Sequence, residues 1–171
     1  MNKIFIGIII PVALALIFLF YNRPVPKTGL VTNMSFEKSE NPLFIHETIK
    51  YPCNVEIIKT EQNKSILIGF TADPWNVNFG ILHPDYGGRR FINLANYKDQ
   101  PYHVKLVCYG NICPMISFSQ NDFVLHKGDE LQVTVSLQTL PSTEIGNYTG
   151  EVDVISEGTK VPFLDKILGW S

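Results

Sequence analysis

The sequence predicts an all-β protein, an antiparallel β-sandwich with one transmembrane helix before it and one short helix after it. Three observations carry this expectation. From about residue 43, short runs with two-residue alternation or β-branched and aromatic enrichment recur at roughly ten-residue spacing. Gly, Pro, Asn and Asp divide the runs. No amphipathic helix of the kind a parallel α/β sheet needs occurs before residue 160.

The first element is apolar throughout. Ile4 to Tyr21 carries no charge and no strongly polar side chain. At a helical rise of about 1.5 Å per residue the run spans roughly 27 Å, enough for the hydrocarbon core of a bilayer. Gly7 and Pro11 are tolerated in a membrane helix. The alternative is a cleaved secretory signal, since Ala13-Leu14-Ala15 has the small-x-small form, but cleavage there leaves an apolar new N-terminus. Residues 1–21 are therefore read as a signal-anchor. Lys3 and the amino terminus balance Arg23 and Lys27, so flanking charge does not orient the helix. A short N-terminus before a long β-domain places the domain on the extracytoplasmic side. Residues 22–42 read as a linker, because Pro24, Pro26 and Pro42 disfavour helix and polar residues fill the rest.

The domain covers residues 43–158. Asn54–Thr60 and Ser65–Thr71 flank a polar turn. Trp75–Leu82 follows Asp73-Pro74, and His83–Gly88 is a loop. Arg90–Asn96 and Tyr102–Cys108 alternate, Met115–Ser119 and Phe123–Leu125 are short, and His126–Asp129 turns the chain into Leu131–Leu137. That last run is the cleanest strand, with Leu131, Val133, Val135 and Leu137 on one face and Gln132, Thr134 and Ser136 on the other. Tyr148–Ile155 closes the set. Ahead of it, Gly146 permits a positive φ, Tyr148 can turn its hydroxyl to a nearby backbone group, and Gly150 leaves room for a neighbouring backbone.

The order Phe79-Gly80, Phe91–Asn96, Pro101 with Val104 and Leu106, Ile116 with Phe118, Gly128–Val135 and Gly146–Val152 resembles the immunoglobulin-like sandwich repeats of bacterial and archaeal surface proteins. It is similar also to the related major-sperm-protein-like and ASH domains. The resemblance covers about residues 75–155. It implies an immunoglobulin-like fold and an adhesion, scaffold or assembly role, and it carries no shared catalytic residues. The chain departs from surface-protein arrays in having one module, and it carries Cys108 and Cys113 at a turn.

Three cysteines occur, Cys53, Cys108 and Cys113. The last two bracket Gly110-Asn111, a turn dipeptide, and can face each other across a hairpin; an extracytoplasmic location permits that disulfide. The alternative is two small buried thiols. His46, His83, His103 and His126 form no H-x-H or H-E-x-x-H pattern. His103 and Cys108, five apart on one strand, face opposite sides. C-x4-C lacks redox-dithiol spacing, and Cys113-Pro114-Met115 lacks the histidine of a copper loop. No catalytic constellation is visible, and Asp73, Asp85, Asp122 and Asp129 are scattered over turns, as backbone caps are. The formal net charge of −2 offers no basic field for nucleic acid.

Two surfaces are candidates for partner binding. Trp75, His83, Tyr86, Arg89 and Arg90 surround the Gly-rich loop, as an aromatic and arginine patch would. In residues 159–171, Phe163, Leu164, Ile167 and Leu168 lie on one face of a short helix opposite Asp165 and Lys166; Gly169 ends it and Trp170 follows. Candidate glycosylation sequons begin at Asn33, Asn63 and Asn147. The chain is thus expected to be a non-enzymatic, membrane-anchored, extracytoplasmic binding or assembly module of a cell-envelope complex. Its partners are other membrane or envelope proteins, and it needs no cofactor. The alternative is an accessory subunit of a membrane enzyme or redox complex, with a metal or dithiol at Cys108 and Cys113 near His103.

Overall fold

The computed structural model of the chain describes residues 29–59 and 74–170. The transmembrane helix expected at 1–21, the first part of the linker, the Ser65–Thr71 run and Asn63 lie outside the described residues. Among the described residues no helix is long and apolar enough to cross a membrane.

Among the described residues nine strands and one α-helix follow in order: β1 (Ser35–Glu40), β2 (Phe44–Ile57), β3 (Val77–Leu82), β4 (Gly87–Ala95), β5 (Tyr102–Gly110), β6 (Ile116–Phe118), β7 (Phe123–Leu125), β8 (Glu130–Gln138), β9 (Gly146–Thr159) and α1 (Pro162–Leu168). A 3-10 turn, Cys113–Met115, leads into β6. The larger sheet runs β1-β2-β9-β5-β7, with β3 also on β2, and the smaller runs β4-β8-β6. The arrangement is compatible with a β-sandwich. Alternation decides what faces the other sheet. Val55, Ile57, Val104, Leu106, Val152 and Val154 point inward from the larger sheet, meeting Ile92, Val133, Val135 and Leu137 from the smaller, all at most 4 % exposed. Burying each such side chain contributes about 1.5–3 kcal/mol.

β2 is the hinge of the topology. It pairs with β9 from Phe44 opposite Thr159 to Ile57 opposite Gly146. Its other edge is shared: β1 takes residues 45–50 antiparallel, and β3 takes residues 53–57 parallel. Pro52 falls in the gap between these two neighbours, where a residue without an amide hydrogen costs least.

Three expectations need correction. The pairing is mostly antiparallel rather than wholly so, because β3 runs parallel to β2. The linker read at 22–42 contains β1. Ser35–Glu40 is an exposed edge held by backbone pairing and by charge, with Lys50 bonded to Glu37 and Lys38 bridging Glu40 at 2.7 Å. Charged side chains blunt such an edge against other chains, and they also hide it from a search for apolar alternation. Finally, the run read as Asn54–Thr60 is the far part of a longer strand that begins at Phe44 and ends at Ile57.

The turn around Tyr148 follows the sequence. Gly146 opens β9 with φ 155°. The Tyr148 hydroxyl donates to the Glu144 carbonyl at 2.9 Å, while the ring packs against the core.

Candidate interaction surfaces

The five residues expected to form one patch are divided. His83 and Tyr86 sit in the β3–β4 turn, ring centroids 5.9 Å apart and edge-on. This is a pinned turn, not a free loop. Thr139, 1 % exposed, places its hydroxyl 3.0 and 2.7 Å from the His83 and Tyr86 carbonyls, and its amide donates to the Tyr86 carbonyl at 3.0 Å. Trp75 lies before the other end of β3, separated from Tyr86 by a six-residue strand about 17 Å long. Arg89 points outward from β4. Arg90 turns to the other side, where its guanidinium donates to the carbonyls of Asn78 and Arg89 and lies 5.6 Å over the Phe79 ring. Burial lowers its pKa.

The C-terminal helix forms as expected, with Pro162 at its start and Gly169 at φ 72° ending it. The structure divides its expected apolar face and buries the acidic residue opposite that face. Asp165 is 7 % exposed, accepting a 2.6 Å hydrogen bond from the Thr159 hydroxyl. Leu164 and Leu168 are half-buried, and Phe163 and Ile167 are 67 % and 63 % exposed. The reason is local. Thr159 ends β9 three residues before Pro162, and its hydroxyl captures the carboxylate at the first turn. Beyond the helix, Trp170 stacks on His103 with centroids 5.4 Å apart and planes 8° from parallel. His103 in turn meets Asp122 at 2.5 Å.

Cys108 and Cys113 are joined by a disulfide, with Cα atoms 5.6 Å apart. It ties the end of β5 to the 3-10 turn and encloses Ile112, which is fully buried. His103 and Cys108 lie on opposite faces of β5, and among the described residues no three His, Cys, Asp or Glu side chains converge as a metal site would need. Opening this short loop by Cys108→Ser or Cys113→Ser, or by reductant, is expected to cost about 2 kcal/mol. Thermal unfolding with and without reductant should show Tm lower by roughly 5–8 °C. Cys53 is buried among apolar neighbours, and burial pushes its thiol up to about 12.

Some surface features carry no sequence signature. Glu151 faces away from the core, yet is 0 % exposed, because the segment before β1 crosses over it and the Val31 amide donates to its Oε2 at 2.6 Å. Lys50 has a raised pKa, first through its bond to Glu37 and then through Asp153 and Glu151 nearby. At the far end of the sheet Lys160 and Lys38 hold the Glu40 carboxyl down to about 2, which ties β1 to the chain leading into α1. Asn33 and Asn147 are exposed.

Among the described residues the two sheets leave an open side between β1 and β4. Near Tyr97 a groove of about 330 Å³ has Val104, Leu125 and Val154 among its lining, with Phe36 and Tyr97 at its rim. A smaller recess of about 150 Å³ follows along β4, with Tyr51, Val77, Arg90 and Phe91 in its wall, and Asn93 lines both.

The chain matches no protein-family model, no curated protein and no solved structure.

Proposed function

We propose that this chain is a membrane-anchored, extracytoplasmic immunoglobulin-like module that binds other proteins during assembly of a cell-envelope complex, without catalysis of its own. One observation carries the reading: α1 turns a carboxylate inward and leaves Phe163 and Ile167 in water. Two large apolar residues adjacent on a short helix, i and i+4, form a natural anchor for a partner's pocket. The anchoring part rests on the apolar run Ile4 to Tyr21, and the immunoglobulin-like part on two packed sheets and the Tyr148 hydroxyl at the Glu144 carbonyl.

The test is affinity recovery of the full-length protein from its native membrane, beside a Phe163→Ser/Ile167→Ser variant. The variant is expected to keep its circular dichroism and Tm, since both side chains are exposed. It should lose about tenfold or more of its co-purifying membrane partner. Equal recovery from both proteins would remove α1 as the binding surface.

A further inference from the structure

The open side between β1 and β4 is built differently from the rest of the domain. Among the described residues β4 pairs with β8 alone, so its outer edge presents backbone amides and carbonyls along nine residues, about 30 Å. Beside that edge lies an apolar groove lined by interior residues, with Val104 and Val154 each 1 % exposed. Phe91 is 58 % exposed, Phe36 56 % and Tyr97 75 %. A free strand edge next to an apolar channel is the geometry that accepts an added strand: the backbone supplies affinity and alternate side chains enter the groove.

Charge gives the added strand a direction. At the Tyr97 end the cation is already matched, since Lys98 meets both carboxylate oxygens of Glu47 at 2.6 and 2.7 Å. At the other end it is not. The Arg90 guanidinium meets two backbone carbonyls and a ring face, and among the described residues no carboxylate pairs with Arg90 or Arg89. Arginine presents five donors in a fixed fork, so donors remain for a carboxylate. An antiparallel strand laid on β4 would bring its C-terminal end toward Arg90, because β4 runs from Gly87 to Ala95.

We propose that this side of the domain receives an extended strand of another protein, with alternating apolar residues and a carboxylate at its C-terminal end that reaches Arg90. The proposal rests on the binding-module reading and adds a second surface to α1.

The test uses the full-length chain in detergent and two labelled nine-residue peptides. Both alternate valine and threonine; one ends in two aspartates, the other in two amidated lysines. Fluorescence anisotropy should show the acidic peptide binding at least tenfold tighter, and Arg90→Gln should abolish the difference. Hydrogen exchange on the wild-type protein provides a readout that does not depend on the variant folding: the acidic peptide should newly protect amides of β4. Equal affinities, no binding, or protection elsewhere would overturn the proposal. So would β4 amides already protected in the free chain, which would assign the edge to this chain's own residues 60–73. Protection that grows with protein concentration would assign it to a second copy. None of these outcomes touches the Phe163 and Ile167 result, so the two readings fail separately.

Discussion

Gly150→Val is expected to be the most damaging single substitution in the domain. Gly150 stands opposite Gly110 where β9 pairs with β5. A Cβ at Gly150 would meet the Tyr109 carbonyl oxygen at 2.5 Å and the Ile112 Cγ2 at 2.5 Å. Neither can retreat, because the first is backbone and the second is fully buried within the disulfide-closed turn. Overpacking of this kind costs on the order of 3 kcal/mol, or roughly 10 °C in Tm for a domain of this size. Gly128→Ala supplies the control. Its φ is +85°, but a Cβ there meets nothing within 4 Å, so only the backbone strain of about 1 kcal/mol applies. Thermal unfolding of both variants separates the two costs; equal losses would mean that close approach is not what Gly150 provides.

Glu151→Ala is the second. The carboxylate is out of solvent and holds the Val31 amide at 2.6 Å. Removing it leaves the part-buried Val31 amide without this acceptor and a void beneath the crossing segment. Together these are expected to cost about 2–3 kcal/mol. The loss should be local first. Amides of residues 30–34 should exchange faster, and limited proteolysis should cut ahead of Ser35, while the β5–β9 ladder keeps its protection. Uniform loosening of the whole sheet would show that Glu151 supports the ladder itself and not the crossing segment.

How much of this was legible in the sequence depended on what kind of force placed each residue. β8 was plain, because Val133, Val135 and Leu137 alternate with polar residues and burial follows that alternation. Tyr148 was legible too, since its partner lies four residues away and the glycines around it mark a constrained turn. β1 was hidden, because its strand character comes from β2 and its side chains are those of a linker. The burial of Asp165 and the split of the apolar face of α1 were hidden for a related reason. A helical wheel weighs the apolar face alone, whereas one hydroxyl at Thr159 draws Asp165 inward. The burial of Glu151 and the open side along β4 depend on which strands finish at the edges, and no local pattern states that.

The crossing segment and α1 also settle how the domain would carry load. The segment passes Glu151 in the middle part of β9, and α1 follows Thr159 at the end of that strand, eight residues or about 26 Å away. Tension between residue 29 and α1 therefore runs along the strand axis. The hydrogen bonds of β1 on β2 and of β2 on β9 are strained side by side in shear, and many must break together. Had both ends left the sheet at one side, the same pull would peel the strands apart one bond at a time. The domain is wired as a tether that resists stretching between residue 29 and α1.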